Sequence, residues 1–191
     1  MSHYFIGIKV PETIGRTLHS WQHSVKPHVS YNEWVHEEDF HLTLKFLGAV
    51  EQETLSKLND TLSQLNGHAP LDLTINGLNY FGKPDQPRVL YAEVERTKPL
   101  SRLKSEVENV ALACGFMNES RPYKPHITLA KKWHGGSIDK RIDQLEAALE
   151  RPLHWQANAF QLFHIDPNTQ PKYRIVQTCH LEGKGESSWH N

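Results

Sequence analysis

Apolar residues recur at two kinds of spacing along this chain, and these spacings occur in the same order in each half. A period of two predicts strands at 4–10 and 71–75 in the first half, at 89–94 and 160–164 in the second, and an added strand at 173–181. Spacings of three and four predict four helices, with apolar stripes of Ile14, Leu18, Trp21 and Val25; Leu55, Leu58, Leu62 and Leu65; Leu100, Leu103, Val107 and Val110; and Ile138, Ile142, Leu145 and Leu149.

The two halves match at a nearly constant offset. Leu103 follows Leu18 by 85 residues, and the offset grows to 87 in the last helix of each half. Two extra residues in the loop 132–136 explain the change, because loops tolerate insertions. With one further strand between the helices, each half reads strand-helix-strand-helix-strand. The sequence predicts one bilobal domain over 1–191, with a first repeat at about 4–78, a second repeat at about 88–181 and a polar tail at 182–191.

The middle strand of each half carries the tetrapeptide His-x-Thr-Leu, first at 41–44 and again 85 residues later. Because successive side chains of a strand point to opposite faces, His41 shares a face with Thr43, and His126 shares a face with Thr128. A single copy is typical of any half-buried strand. Two copies inside a duplicated pattern predict that two imidazoles and two hydroxyl groups meet at one site.

Composition indicates a cytoplasmic protein without a membrane anchor. The 191 residues are 38% hydrophobic, and no apolar run approaches the ~20 residues of a membrane span. The two cysteines form no disulfide framework, and the N-terminus lacks a signal-peptide pattern. We expect a monomer. The net charge of −1 excludes the binding of long nucleic acid through an overall electrostatic field.

Basic residues do cluster locally around the two motifs. Lys45 continues the strand face of His41 and Thr43, and basic residues flank the second motif at Arg121, Lys124, Lys131 and Lys132. This local excess of positive charge indicates a small anionic ligand.

Two histidines and two threonines, without carboxylates, suit in-line displacement at a phosphodiester. The reaction needs a base for the attacking oxygen and an acid for the leaving oxygen on the opposite side of phosphorus. Imidazoles, with an ordinary pKa of about 6.5, can serve as one neutral and one protonated group near pH 7. The threonine hydroxyls can donate to the non-bridging oxygens as negative charge develops there.

Longer segments around the motifs resemble the 2H phosphoesterases, and within them the bacterial RNA 2′,3′-cyclic phosphodiesterase or 2′-5′ RNA ligase branch. The resemblance runs from Tyr4 to about Leu181. Its specific segments are Phe5-Ile6-Gly7-Ile8 with Pro11-Glu12, Trp34-Val35, Phe40 to Gly48, Phe81-Gly82 with Pro87-Arg88-Val89-Leu90, and Arg121-Pro122-Tyr123 with Pro125 to Ala130. Many relatives carry an arginine at the position of Lys131, so this chain keeps the cation but loses a bidentate contact to phosphate.

The resemblance implies an α+β fold, in which an internally duplicated unit forms two lobes with antiparallel sheets around a central groove. It also implies the opening of a terminal ribose 2′,3′-cyclic phosphate to a 2′-phosphate, with a reversible 2′-5′ RNA ligase activity in some relatives. In the family pattern His41 is the proton donor, His126 is the proton acceptor, and Thr43 and Thr128 hold the phosphate. No cofactor and no metal are expected.

Arg121 and Tyr123 lie where relatives place groups that contact substrate, so they are candidate phosphate and base contacts; the alternative is an arginine in solvent and a tyrosine packed under its loop. The expected partners are RNA 3′ ends with a 2′,3′-cyclic phosphate, including tRNA fragments, or small cyclic nucleotides. Two other classes stay open. One is a non-catalytic module that binds RNA ends or nucleotides, and the other is a metal protein that uses histidines such as His19 and His23, which lie four residues apart on one helix.

Overall fold

A computed structural model describes residues 2–65, 67–135, 149 and 152–183. The strands are β1 (His3–Lys9), β2 (Tyr31–Trp34), β3 (His41–Ala49), β4 (Leu71–Lys83), β5 (Gln86–Val94), β6 (His126–Trp133), β7 (Leu153–Ala157), β8 (Ala159–Ile165) and β9 (Tyr173–His180). The helices are α1 (Glu12–Val25), α2 (Gln52–Leu62) and α3 (Lys98–Ala113), with short 3₁₀ turns at Lys26–His28 and Glu37–Asp39. The helix predicted from the stripe at 138–149 lies outside the described residues, apart from position 149.

The described helices bury the predicted apolar stripes. In α1, Leu18, Trp21 and Val25 are buried. The same holds for the predicted stripe residues within the other two helices, Leu55, Leu58 and Leu62 of α2 and Leu100, Leu103, Val107 and Val110 of α3. The side chain of Thr97 accepts a hydrogen bond from the backbone N–H of Leu100 at 3.3 Å, which caps α3 where it begins. The predictions of these three helices are confirmed, because burial of one face stabilises an amphipathic helix.

The strands form one sheet in the order β7-β4-β5-β6-β3-β1-β8-β9, and β2 also pairs with β6. Every strand pairing among the described residues is antiparallel, so the expected α+β fold is confirmed. The last strand of each repeat's predicted unit, β4 in the first and β8 in the second, pairs with the first strand of the other repeat. The first repeat's β4 pairs with β5 of the second repeat, and β8 of the second repeat pairs with β1 of the first. A two-residue turn at 84–85 joins β4 to β5 and accounts for one of these pairings.

The motif strands β3 and β6 meet where Leu42 pairs with Ile127 in antiparallel register. Both of these side chains are buried. Alternation along each strand therefore sends the motif histidines and threonines to the opposite face of the sheet, where all four are half-buried. The register of this pairing sets His41 opposite Thr128 and Thr43 opposite His126. The predicted meeting of the two motifs thus follows from one antiparallel contact.

An extra residue in β3 corrects the expectation for Lys45. Gly7 pairs with Thr43, but the neighbouring Ile6 pairs with Lys45, so β3 contains a bulge between these two pairs. The bulge turns Lys45 away from the His41 face and onto the buried face of the sheet, where its side chain is 2% exposed. A bulge at the corresponding place in β6 repeats this feature in the second motif.

None of the helices in the described part of the chain is long and apolar enough to cross a membrane. The cytoplasmic location and the monomeric state stay predictions.

Candidate active site

The two motif histidines are held by the same hydrogen bond. Nδ1 of His41 donates to the backbone carbonyl of Asp39 at 2.7 Å, and Nδ1 of His126 donates to the backbone carbonyl of Lys124 at 2.7 Å. A carbonyl oxygen only accepts hydrogen bonds, so Nδ1 carries the proton of each neutral ring. In both residues Nε2 is therefore the nitrogen that can exchange a proton with a ligand.

Aromatic rings pack against both imidazoles. The ring centre of His41 lies 4.3 Å from that of Phe5 and 4.9 Å from that of Tyr173, which meets it edge-on. The ring centre of His126 lies 4.8 Å from Phe81 and 5.3 Å from Tyr91. These contacts fix the plane of each imidazole and exclude water from one side of it.

The aromatic surroundings lower both histidine pKa values. Burial lowers the pKa of His41 from 6.5 to about 4, although the hydrogen bond to Asp39 and the charge of Asp39 act in the opposite direction. Burial also lowers the pKa of His126, against the hydrogen bond to the carbonyl of Lys124. Because desolvation disfavours the charged imidazolium, both rings are neutral at pH 7 in the unliganded protein.

Asp39 holds His41 from two directions. Its carboxylate is 4% exposed and accepts hydrogen bonds from the backbone N–H groups of Lys172 and Tyr173, both at 3.0 Å. The backbone carbonyl of Asp39 holds Nδ1 of His41, and Tyr173 packs edge-on against the same imidazole. Asp39 and Tyr173 carry no recognisable signal in the sequence, because the two residues lie 134 positions apart along the chain and meet only in the fold.

A cleft of about 600 Å³ opens beside Thr43 and His126. Its size is in the usual range for a small-molecule site. The predicted residues Arg121 and Tyr123 both line this cleft, with Arg121 exposed on its rim. The remaining lining residues are Leu44, Phe81, Gly82, Arg88, Asn118, Glu119, Ser120, Pro122 and Lys124. Of these, Phe81, Gly82 and Arg88 belong to segments that carry the family resemblance, so the sequence contained a signal for them.

Tyr123 ties the wall of the cleft to the first motif. Its hydroxyl donates to the backbone carbonyl of Thr43 at 3.3 Å, and its ring lies 5.6 Å from Nζ of Lys104. Burial raises the pKa of Tyr123 well above its ordinary value, so the hydroxyl keeps its proton. The structure thus brings the Tyr123 hydroxyl into contact with the first motif strand and places Tyr123 in the wall of the cleft that His126 also lines.

The basic residues that the sequence predicts around the motifs lie in three separate places in the structure. Lys45 is buried, whereas Arg88, Arg121 and Lys124 line the cleft beside His126. Lys131 and Lys132 lie at the far end of β6 and pair with a glutamate of β2. Positive charge is therefore present at both ends of the histidine pair rather than at one spot.

His19 and His23 pack edge-on with their ring centres 4.7 Å apart, and Nδ1 of His19 lies 3.3 Å from a carboxylate oxygen of Glu37. Within the ranges that the structure describes, no group of three or more His, Cys, Asp or Glu side chains is arranged to hold a metal ion. The expected absence of a metal from the reaction stays a prediction, which chelation can test.

Known proteins share both the sequence and the fold. The sequence profile of the 2′-5′ RNA ligase superfamily matches residues 10–169. An RNA 2′,3′-cyclic phosphodiesterase of Bacillus subtilis is 35% identical over 175 residues, which cover 91% of this chain and 93% of that protein. A protein of the same name from Thermotoga maritima is 31% identical over 154 residues, or 78% of this chain and 80% of the relative.

Solved structures of similar fold include a protein of Thermus thermophilus, with a TM-score of 0.78 and 23% identity, covering 95% of this chain and 99% of that chain. Escherichia coli LigT complexed with 3′-AMP has a TM-score of 0.77 and 20% identity, covering 94% of this chain and 98% of LigT. At these identities the likeness concerns the fold. The profile match and the Bacillus relative confirm the resemblance seen in the sequence: this chain belongs to the 2′-5′ RNA ligase superfamily.

Proposed function

We propose that this protein hydrolyses the terminal ribose 2′,3′-cyclic phosphate of RNA to a 2′-phosphate by general acid and base catalysis from two histidines. The relatives named RNA 2′,3′-cyclic phosphodiesterase confirm the prediction of an enzyme of this hydrolase class. The observation that carries the two-histidine mechanism is the matched hydrogen bond at Nδ1 of His41 and His126. It leaves the same nitrogen of each ring for proton transfer, which a binding module does not need.

In the proposed reaction, Nε2 of His126 accepts a proton from water as the water oxygen bonds to phosphorus. The bond between phosphorus and the 3′ oxygen breaks, and protonated Nε2 of His41 gives its proton to that oxygen. The products are a 2′-phosphate and a 3′-hydroxyl group. Thr43 and Thr128, each opposite the other motif's histidine, donate to the non-bridging oxygens. With the 5′-hydroxyl of a second RNA in place of water, the same steps form a 2′-5′ linkage.

In the proposed mechanism, His41 becomes protonated when the substrate binds. Both histidine pKa values are lowered in the unliganded protein, so the imidazolium that the mechanism requires is scarce at pH 7. A bound phosphate anion raises the pKa of an imidazole beside it, because opposite charges stabilise each other. Binding of the cyclic phosphate therefore favours protonation of one histidine of the pair, and the proposal assigns that proton to His41 because the family resemblance implies that His41 is the proton donor.

The covalent structure of ribose sets the direction in which the nucleotide lies. The 3′ oxygen is attached to C3′, whose neighbour C4′ carries the 5′ substituent. The 2′ oxygen is attached to C2′, whose neighbour C1′ carries the base. If the 3′ oxygen leaves toward His41, the base points away from His41 and into the cleft beside His126. There Phe81 and Tyr123 offer aromatic surface, and Arg121 offers a cation.

Product analysis on a dinucleotide with a 2′,3′-cyclic phosphate terminus tests the proposal. We expect a single product with a 2′-phosphate, identified by phosphorus NMR and by mass. A 3′-phosphate product would show that the other oxygen leaves and would reverse the orientation. Tight binding without turnover would indicate a binding module instead, and turnover of mononucleotides alone would indicate a small cyclic nucleotide as the substrate.

A further inference from the structure

A second cluster of charges lies on the His41 side of the histidine pair, away from the cleft that His126 lines. The carboxylate of Glu33 in β2 contacts Nζ of Lys131 at 3.2 Å, Nζ of Lys132 at 2.8 Å and Nζ of Lys172 at 3.2 Å. We refer to Glu33 and these three lysines as the lysine cluster. Three cations around one carboxylate leave a net positive charge, and the lysine side chains are 39%, 70% and 40% exposed.

The lysine cluster borders His41 directly. Lys172 precedes Tyr173, whose ring packs on the His41 imidazole, and the charge of Lys131 is one of the influences that lower the pKa of His41. The nearby carboxylate of Asp39 also lines this side of the site, but it is buried and accepts hydrogen bonds from two backbone N–H groups, which offset part of its charge. A ligand anchored at the histidine pair therefore has the cluster beside its His41 end.

The cluster is ordered before any ligand arrives. Bonds to three lysines outweigh partial burial and lower the pKa of Glu33 to about 2, so this carboxylate is ionised at any working pH. Glu33 thus fixes three flexible ammonium groups in one place, which reduces the conformational entropy that an anion would otherwise lose on binding. A recess of about 120 Å³ beside the cluster has room for a phosphate group but not for a nucleoside. It is lined by Glu33, Trp34, Val35, His36, Asp39, Lys131, Gln170, Lys172 and Tyr173.

We propose that the lysine cluster is a second phosphate site, which binds the phosphate on the 5′ side of the terminal nucleoside. The inference rests on the proposed function. An orientation with the 3′ oxygen at His41 places the 5′ substituent on the same side of the histidine pair as the lysine cluster. The enzyme then selects RNA ends and 5′-phosphorylated nucleotides over nucleosides that carry the cyclic phosphate alone.

Two substrates that differ by one phosphate test this site: adenosine 2′,3′-cyclic phosphate and its 5′-phosphorylated form. We expect the wild-type kcat/KM to be about tenfold or more higher on the 5′-phosphorylated form, since charge-assisted contacts to phosphate are among the strong hydrogen bonds. This advantage should shrink as salt increases, because salt screens exposed charges.

The double variant Lys132→Gln/Lys172→Gln should lose that advantage and change by less than about twofold on adenosine 2′,3′-cyclic phosphate. These two lysines are chosen because Lys131 also acts on His41. Lys98→Gln, an exposed lysine at the start of α3, serves as the control. Equal losses on both substrates, or no loss on either, would overturn the second site. Absence of wild-type turnover on both substrates would instead refute the proposed function.

Discussion

Nζ of Lys45 lies 2.5 Å from Oε1 of Glu108, in the interior between β3 and α3. The same ammonium donates to the backbone carbonyl of Met117 at 2.7 Å, and Glu108 accepts from the backbone N–H of Glu119 at 3.0 Å. Lys104 bonds both glutamates and completes the network. These bonds fasten the segment 114–125, which carries Arg121 and Tyr123, to the first motif strand. A lysine of the motif strand therefore holds the cleft wall rather than the substrate.

Lys45→Met should loosen this wall. Loss of the buried ammonium leaves the Met117 carbonyl without its donor and weakens the anchoring of Glu108, so we expect a loss of about 1–3 kcal/mol in the free energy of unfolding. KM should rise more than kcat falls, because His41 and His126 keep their own contacts. Urea unfolding and steady-state kinetics measure both effects. Lys98→Met is the matched control, and wild-type behaviour of Lys45→Met would contradict the anchoring role.

His41→Ala and His126→Ala should each reduce kcat by at least ~10²-fold, the usual effect of losing a general acid or base. Each change removes one end of the proton transfer. His180→Ala alters an exposed histidine of β9 and should leave activity unchanged. Circular dichroism verifies folding, and mass spectrometry verifies identity. Near-wild-type kcat in either motif variant would refute the two-histidine mechanism.

Thr43→Val and Thr128→Val should lower kcat/KM on a cyclic phosphate substrate, because each removes a donor that strengthens as charge develops on the non-bridging oxygens. Valine keeps the shape of threonine and suits a strand, so folding should be preserved. Thr178→Val in β9 is the comparable change on an exposed strand position. If kinetics were unchanged in both motif variants, the threonines would have only a structural role.

The pH dependence of kcat/KM should be bell-shaped with its maximum below pH 6.5. In the proposed mechanism, the rate falls at low pH as the base His126 becomes protonated, and it falls at higher pH as the acid His41 loses its proton. Because kcat/KM reports the unliganded enzyme, the lowered pKa values of both histidines move this window toward acid. The alkaline limb of kcat should lie at higher pH, since bound phosphate favours the imidazolium. A kcat/KM maximum above pH 7 would contradict the lowered pKa values.

Activity should be independent of added metal. Protein treated with a chelator and then freed of it should keep its kcat/KM on a 2′,3′-cyclic phosphate, because the proposed proton transfers need only the two imidazoles and the threonine donors. Atomic absorption verifies that the metal has been removed. Loss of activity that zinc or manganese restores would favour the metal alternative, with His19 and His23 as the first ligands to replace.

The sequence by itself determined the local structure of the motif strands and of the helices, and the residue types that the candidate site brings together. Period-two alternation in the motif strands placed each histidine beside a threonine, and the helical stripes of α1, α2 and α3 marked the faces that are buried. These patterns depend on residues within a few positions of one another, so they can be read along the chain. The repetition at an offset of 85 residues added that two such sites belong together.

Only the tertiary structure decided how distant segments meet. Register between strands is specified by no local pattern. It decides the pairing of Leu42 with Ile127, the pairing of β8 with β1 of the other repeat, and the bulge that buries Lys45. The lowered pKa of His41 comes from burial, which outweighs the opposing influence of Asp39, whose carboxylate is bound to a segment 133 residues away. Burial and electrostatics are sums over neighbours in space, and such sums exist only after the chain has folded.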